Sequence, residues 1–174
     1  MKNYWFLFVS VMASVVLVIT GCSSNDRNSH ESTNHEERTV SDSHQHGEGG
    51  DIFETTKDIV MLPSFLSNQP EQIQNIYQIA GQNHELLSWI PCYCGCGESA
   101  GHTSNKNCFI REVKPNGEVV WDSHAITCTA CLEIALQSAV MKEKGASALE
   151  IRQYIDEQYK EGYAKPTPTP MPSL

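Results

Sequence analysis

Between residues 92 and 131 the chain gathers six thiols and two imidazoles. Cys92-Tyr93-Cys94-Gly95-Cys96 follows Pro91 directly, Cys108 comes next, and Cys128-Thr129-Ala130-Cys131 completes the set, with His102 and His124 interleaved. Cysteines two apart on an extended chain point the same way. Such neighbours are badly placed for a disulfide with one another, because that bond has a demanding geometry. They are well placed to converge on one ion, or on partners elsewhere in the chain. Cysteines three apart at a helix start share a face, close enough for one metal or one disulfide. Free backbone amides and the helix dipole there also favour the thiolate.

Zinc takes cysteine and histidine in tetrahedral sites, commonly with cysteine pairs from separated segments. Copper(I) accepts soft thiolates, often with fewer ligands. The candidate ligands are Cys92, Cys94, Cys96, Cys108, Cys128 and Cys131, with His124 ahead of His102 as auxiliaries. Eight donors suffice for a pair of four-coordinate sites, or for one site with groups to spare. The C-x-C-x-C start fits no zinc-finger template. Two other readings stay open. Three disulfides between the clusters satisfy every sulfur. Cys128 and Cys131 at a helix start also resemble the pair of thiol-disulfide oxidoreductases, although the βαβ context of the thioredoxin fold is missing. Asp122 is a candidate orienting acceptor for His124. Tyr93 is expected to pack over the cysteine loop or to donate to a thiolate. Glu98 is a weaker oxygen donor beside so much sulfur, Asn105 reads as a turn former, and Trp89 and Trp121 read as core. There is no glycine-rich phosphate loop, serine nucleophile elbow or metalloprotease helix motif.

The elements that must position these groups follow from periodicity and punctuation. Pro70 starts a helix, with Gln69 or Asn68 as its cap. Ile73, Ile76, Tyr77 and Ala80 form its apolar face, and Gly81 is expected to end it. His84 to Ile90 reads as a short second helix that Pro91 stops, so the first three cysteines lie on a loop or short strand, where Gly95 permits a tight wrap. Lys114-Pro115-Asn116-Gly117 between Phe109–Val113 and Glu118–Trp121 signals a hairpin. Thr127 is read as the cap of a helix running to about Lys144, with Gly145 beyond it. Its apolar side is Leu132, Ile134, Ala135, Leu136, Ala139 and Val140. Ser147 and Glu150 form a capping box for a last helix carrying Leu149, Ile151, Tyr154, Ile155 and Tyr159. The expected fold is mainly α with one small β-hairpin, a compact domain organised around the Cys/His cluster.

The N-terminus reads as a targeting segment. Lys2 precedes an apolar run, Tyr4 to Ile19, too short for the ~20 apolar residues of a spanning helix, and the pattern is that of a secretory signal. Ile19-Thr20-Gly21-Cys22 resembles the lipobox of bacterial lipoproteins. That resemblance implies cleavage after residue 21 and lipidation of Cys22 with diacylglycerol, a stable hold on the outer face of the membrane. Outside the cytoplasm unprotected thiols oxidise. Residues 22–51 read as a solvated, disordered tether rich in His and Ser. Its histidines are His30, His35, His44 and His46, of which only the last two are spaced as a metal-binding pair. The domain is expected over 52–163 and a Pro-rich tail over 164–174, extended and without structure of its own. A formal net charge of −9, with scattered Lys and Arg, argues against a nucleic-acid-binding face, and no polybasic membrane patch is present.

Pro91-Cys92-Tyr93-Cys94-Gly95-Cys96 resembles the motif of the bacterial PCYCGC lipoproteins. The resemblance continues through Gly101-His102, Asn105, Cys108-Phe109, Trp121-Asp122, His124 and Cys128-x-x-Cys131 to Ile151-Arg152-Gln153-Tyr154-Ile155-Asp156. It implies a cell-envelope lipoprotein and no particular reaction. On the residues themselves, the expectation is a membrane-anchored protein that binds Zn or Cu(I) for structure, storage or delivery. Its partner would be an exported metalloprotein or another cell-envelope protein.

Overall fold

The computed structural model describes residues 50–173 and the backbone of residues 45–46. The signal segment 1–21, Cys22, and His30, His35 and His44 of the tether lie outside the described residues.

Five helices are present among the described residues: α1 (Glu71–Gln82), α2 (His84–Leu87), α3 (Cys96–Ser99), α4 (Thr129–Glu143) and α5 (Ala148–Gln158). Pro70 occupies the N-cap position of α1 with no side-chain cap. Its carbonyl accepts from the Ile73 and Gln74 amides, so the expected Gln69 or Asn68 cap is not used. Gly81 does not end α1 but lies buried inside it. A Cβ there would stand 3.0 Å from the Trp121 ring and 3.4 Å from Ile59. The glycine therefore serves close approach of helix to sheet. Helix α4 starts one residue later than expected, after a 3-10 turn (His124–Thr127). Its N-cap is Cys128, not Thr127. Helix α5 has the expected capping box: the Ser147 hydroxyl accepts from the Glu150 amide, and the Glu150 carboxylate accepts from the Ser147 amide at 2.8 Å.

The expected hairpin forms from β3 (Ile110–Val113) and β4 (Val119–Asp122). Gly117, at φ 90°, takes the left-handed conformation in its turn, which costs little only in glycine. The pairing shifts register between Ile110 and Glu112, a bulge of the kind that re-aims a strand. A further strand, β2 (Ile52–Thr56), pairs antiparallel with β4, and the short β1 (Gln45–His46) pairs with β2, giving the order β1-β2-β4-β3. The end of the expected tether is thus sheet. Sequence reading missed β2 because its run is short and interrupted by Glu54.

The core fills the space between the sheet and α1, α4 and α5. Tyr77, Phe109, Trp121, Ile134, Ile151 and Ile155 are fully buried. Tyr77 and Phe109 meet edge to face with centroids 5.0 Å apart. Their polar neighbours are satisfied: Tyr77 Oη donates to the Asp122 carbonyl at 2.8 Å, and Trp121 Nε1 donates to Thr56 Oγ1 at 2.8 Å. Buried Tyr and Trp need such partners. Trp89 departs from its reading as core and is 38% exposed, as are Leu136, Val140 and Tyr154 to a similar degree.

The Pro-rich segment also differs from expectation. It runs extended, yet it is bound to the domain. The Thr167 amide donates to the Cys92 carbonyl at 2.9 Å and the Ala164 amide to the Tyr93 carbonyl at 3.0 Å. Arg152 Nη1 donates to the Thr169 and Pro170 carbonyls, at 3.3 and 3.1 Å. Prolines keep such a segment extended before docking, so little entropy is lost when it docks.

Candidate metal centre

Three separate structural devices bring the thiols together. Helix α2 ends at Leu87, earlier than the expected Ile90, turns carry the chain on to Pro91, and Cys92 and Cys94 follow on a loop. Gly95, at φ 89°, then reverses it in the left-handed conformation and delivers Cys96 to the start of α3. Cys108 ends the 3-10 turn Asn105–Cys108, whose first turn is fixed by a Ser104/Asn107 capping box. Cys128 and Cys131 sit at the cap and in the first turn of α4.

All six cysteines are free, and their sulfurs form one connected cluster. Cys131 Sγ lies 3.1 Å from Cys128, 3.2 Å from Cys92 and 3.6 Å from Cys94. Cys92 and Cys94 are 3.3 Å apart, and Cys96 and Cys108 are 3.7 Å apart. A disulfide needs about 2.05 Å, so none of these pairs is bonded. Two thiolates on one tetrahedral zinc, with Zn–S bonds of about 2.3 Å, lie about 3.8 Å apart. The sulfurs stand slightly inside that separation. Cys92, Cys96, Cys108 and Cys131 are buried, whereas Cys94 and Cys128 are half-exposed. The cluster therefore has one accessible side.

Both predicted histidines belong to it. Cys96, His102 and His124 place their ligand atoms within 4.8 Å of one another. The two rings meet edge to face, 4.7 Å between centroids. His102 Nδ1 is 3.5 Å from Cys108 Sγ, while its Nε2 faces Asp122 Oδ2 at 3.6 Å. His124 Nδ1 is 3.0 Å from Asp51 Oδ2. His124 thus has a carboxylate on one ring nitrogen and sulfur nearby, the pairing that fixes metal-binding histidines, whereas His102 Nε2 and Asp122 Oδ2 face each other beyond hydrogen-bond distance and neither atom makes a hydrogen bond. Asp122 was expected to orient the His124 ring. It faces the His102 ring instead, and its Oδ1 accepts the His124 backbone amide at 2.9 Å. The orienting role toward His124 falls to Asp51. Sequence gave no signal for that residue, because it lies at the end of a polar stretch, 73 positions from its partner.

Protons are unevenly shared in the cluster. Cys108 and then Cys131 donate toward Cys92 and hold its thiol down to about 4. Cys108, Cys128 and Cys131 likewise pull Cys94 well below the ordinary thiol range. Donation to Cys108, Cys128, Cys92 and Cys94, together with burial, pushes Cys131 far up. For Cys96 and Cys108, neighbouring thiols act in both directions, Cys108 and Cys131 respectively pulling down. Donation to Cys92 and Cys94 and burial win, and both are raised. Cys128 is also raised: Cys131 lowers it, but Cys94 and burial prevail. Cys94, followed by Asp51, raises His124 to about 9.

The remaining candidates do other things. Tyr93 donates to Asp156 Oδ1 at 2.6 Å and stacks on Tyr159, so its hydroxyl proton goes to a carboxylate and not to a thiolate. Glu98 is exposed on α3 and belongs to no ligand group. Asn105 is fully buried; its Nδ2 donates to the Cys131 carbonyl at 3.2 Å, which ties the Cys108 turn to α4. Arg152 holds Asp156 at 2.8 Å and the Trp89 carbonyl at 3.2 Å. It thus links α5, the cysteine loop and the Pro-rich segment.

These features define a small mainly helical domain built around a Cys/His cluster able to hold a metal. The chain matches, over residues 11–172, the family described as proteins of unknown function with a PCYCGC motif, and it belongs to that family. No curated protein and no solved structure matches it.

Proposed function

We propose that this protein binds a thiophilic metal ion, copper(I) or zinc, through its six-thiol cluster, and stores it or delivers it to an exported metalloprotein or another cell-envelope protein. The reading includes a Cys22 lipid anchor holding the domain at the outer face of the membrane, as the Ile19-Thr20-Gly21-Cys22 resemblance implies. The observation that carries the metal reading is the sulfur geometry: six free thiols in two sets, Cys92, Cys94, Cys128 and Cys131 linked at 3.1–3.6 Å and Cys96 with Cys108 at 3.7 Å, the sets meeting within 4.8 Å. Those separations suit sulfurs sharing a metal. Half-exposed Cys94 and Cys128 supply the open side that transfer needs, since a purely structural zinc site is closed. A redox role for Cys128 and Cys131 is less well supported. An attacking cysteine needs a lowered pKa, and the accessible Cys128 is raised.

The test is native mass spectrometry and elemental analysis of the full chain in detergent, purified without added metal or chelator, with a thiol count after denaturation. Bound zinc or copper with six reactive thiols beyond Cys22 is the expected result. A metal-free chain, six hydrogens lighter than its reduced form, would replace this reading with three disulfides.

A further inference from the structure

The ligand atoms do not form one site. They form four overlapping triads: Cys94, Cys128 and Cys131; Cys92, Cys108 and Cys131; Cys92, Cys94 and Cys96; and Cys96, His102 and His124. Within each triad the ligand atoms lie within 4.8 Å of one another. Cys131 is common to the first two, Cys92 to the second and third, Cys94 to the first and third, and Cys96 to the last two. We propose that the cluster is polynuclear, taking at least two soft ions of the copper(I) class that share Cys131, and in part Cys92, as bridging thiolates. This rests on the metal-binding reading above and adds its stoichiometry and connectivity.

Three arguments carry it. The first is coordination number. A tetrahedral ion takes four donors, and a three-coordinate ion takes three. One ion would leave half or more of this donor set unused, although all eight groups converge. The second is charge. Cys92, Cys108 and Cys131 have no exposed surface, and uncompensated thiolate charge there is costly. A single divalent ion on four thiolates leaves the site anionic. Each added ion that shares a sulfur cancels charge without requiring a new ligand. The third is the position of Cys131, whose sulfur touches three others, on Cys92, Cys94 and Cys128. A terminal ligand need only meet the sulfurs of its own ion, whereas a bridge must meet both sets. Triads suit copper(I), which is content with three thiolates. On binding, each ligand sulfur that carries a proton gives it to solvent, and every ligand sulfur gives a lone pair to the metal, so no oxidant or reductant is needed once the ion is supplied as Cu(I).

The experiment uses the full chain in detergent, reduced and metal-free. It is titrated anaerobically with Cu(I) under native mass spectrometry and, separately, loaded with ¹¹³Cd for NMR. Two or more Cu(I) per chain are expected, together with ¹¹³Cd resonances that split one another through a shared sulfur. The Cys128→Ser variant removes a terminal ligand and should lose one ion, whereas Cys131→Ser should lose at least two or all. Saturation at one ion would overturn the polynuclear proposal and leave metal binding intact. Two ions whose ¹¹³Cd signals show no mutual splitting would overturn the bridge. Binding of no ion at all would instead remove the reading beneath it. The ¹¹³Cd measurement needs only the unaltered chain, so it decides the question even if Cys131→Ser fails to fold.

Discussion

Replacing Thr167 by Val tests whether the Pro-rich segment is part of the domain. The side chain is 4% exposed and takes part in a chain of hydrogen bonds with a direction that can be worked out. Thr169 Oγ1 has one proton, and the Thr103 carbonyl at 2.6 Å is its best acceptor. The contact of 2.9 Å between the Thr167 and Thr169 hydroxyls must then use the Thr167 proton. That leaves Thr167 Oγ1 free to accept from the Cys92 amide at 2.9 Å. Valine keeps the size of the side chain, including the methyl that packs beside Gly97, and deletes only the oxygen. The Cys92 amide is left buried without this acceptor, at a cost of about 1–3 kcal/mol. For a domain of this size each kcal/mol lowers Tm by about 3–6 °C. The assay is denaturant unfolding of the metal-free reduced chain, Thr167→Val against Thr167→Ser. The serine variant keeps the oxygen and loses only a methyl, about 0.8 kcal/mol. A loss larger in the valine than in the serine variant, with faster reaction of Cys92 toward a thiol reagent, is expected. Valine at parental stability, or serine worse than valine, would refute both the docked segment and the proton assignment.

Other consequences are equally checkable. Asp122→Asn keeps an oxygen for the His124 amide but removes the negative charge facing His102. Metal affinity measured by chelator competition should fall about 10–100-fold, and an unchanged affinity would remove His102 from the ligand set. Gly81→Ala sets overpacking against the fully buried Trp121 ring, at 3.0 Å, against a helix-propensity gain. The first costs about 1–3 kcal/mol and the second returns about 1, so a net loss of stability is expected, and a stabilised variant would contradict the packing. Cys96, Cys108, Cys128 and Cys131 hold their protons above the ordinary thiol range. Metal loading must displace protons from whichever of these it uses, so affinity rises with pH and falls as the medium is acidified. Proton release on metal addition in weak buffer measures this directly, and binding without release would show that these four thiols are not ligands.

Much of the architecture was legible in the chain because its signals are local. Pro70, the Asn116-Gly117 turn and the Ser147/Glu150 box act within a few residues, and each lies at the element boundary it was read to mark, whereas the helix read from His84 to Ile90 ends at Leu87, short of Pro91. Strand β2 escaped because its partner, β4, lies far along the chain and its own pattern is short. Gly81 was misread for a related reason. A glycine near a helix end looks the same whether it reverses the chain or makes room for a distant ring. Trp89 and the exposed Leu136 and Val140 show that bulk and periodicity suggest a buried face without deciding which residues at its margin are covered.

The sequence by itself supplied the donor set. Six thiols and two imidazoles in three clusters signalled a covalent or metal-held site without deciding which, and all eight do meet. Tertiary structure decided which groups touch and what supports them. It made Cys131 the shared sulfur and left Cys94 and Cys128 at the open side. It gave His102 to Asp122 and His124 to Asp51, and it laid Thr167 against Cys92. These pairings join residues separated by 20 to 75 positions. No local propensity encodes them, because they form only when the whole core closes and places each backbone segment within hydrogen-bonding reach of the other.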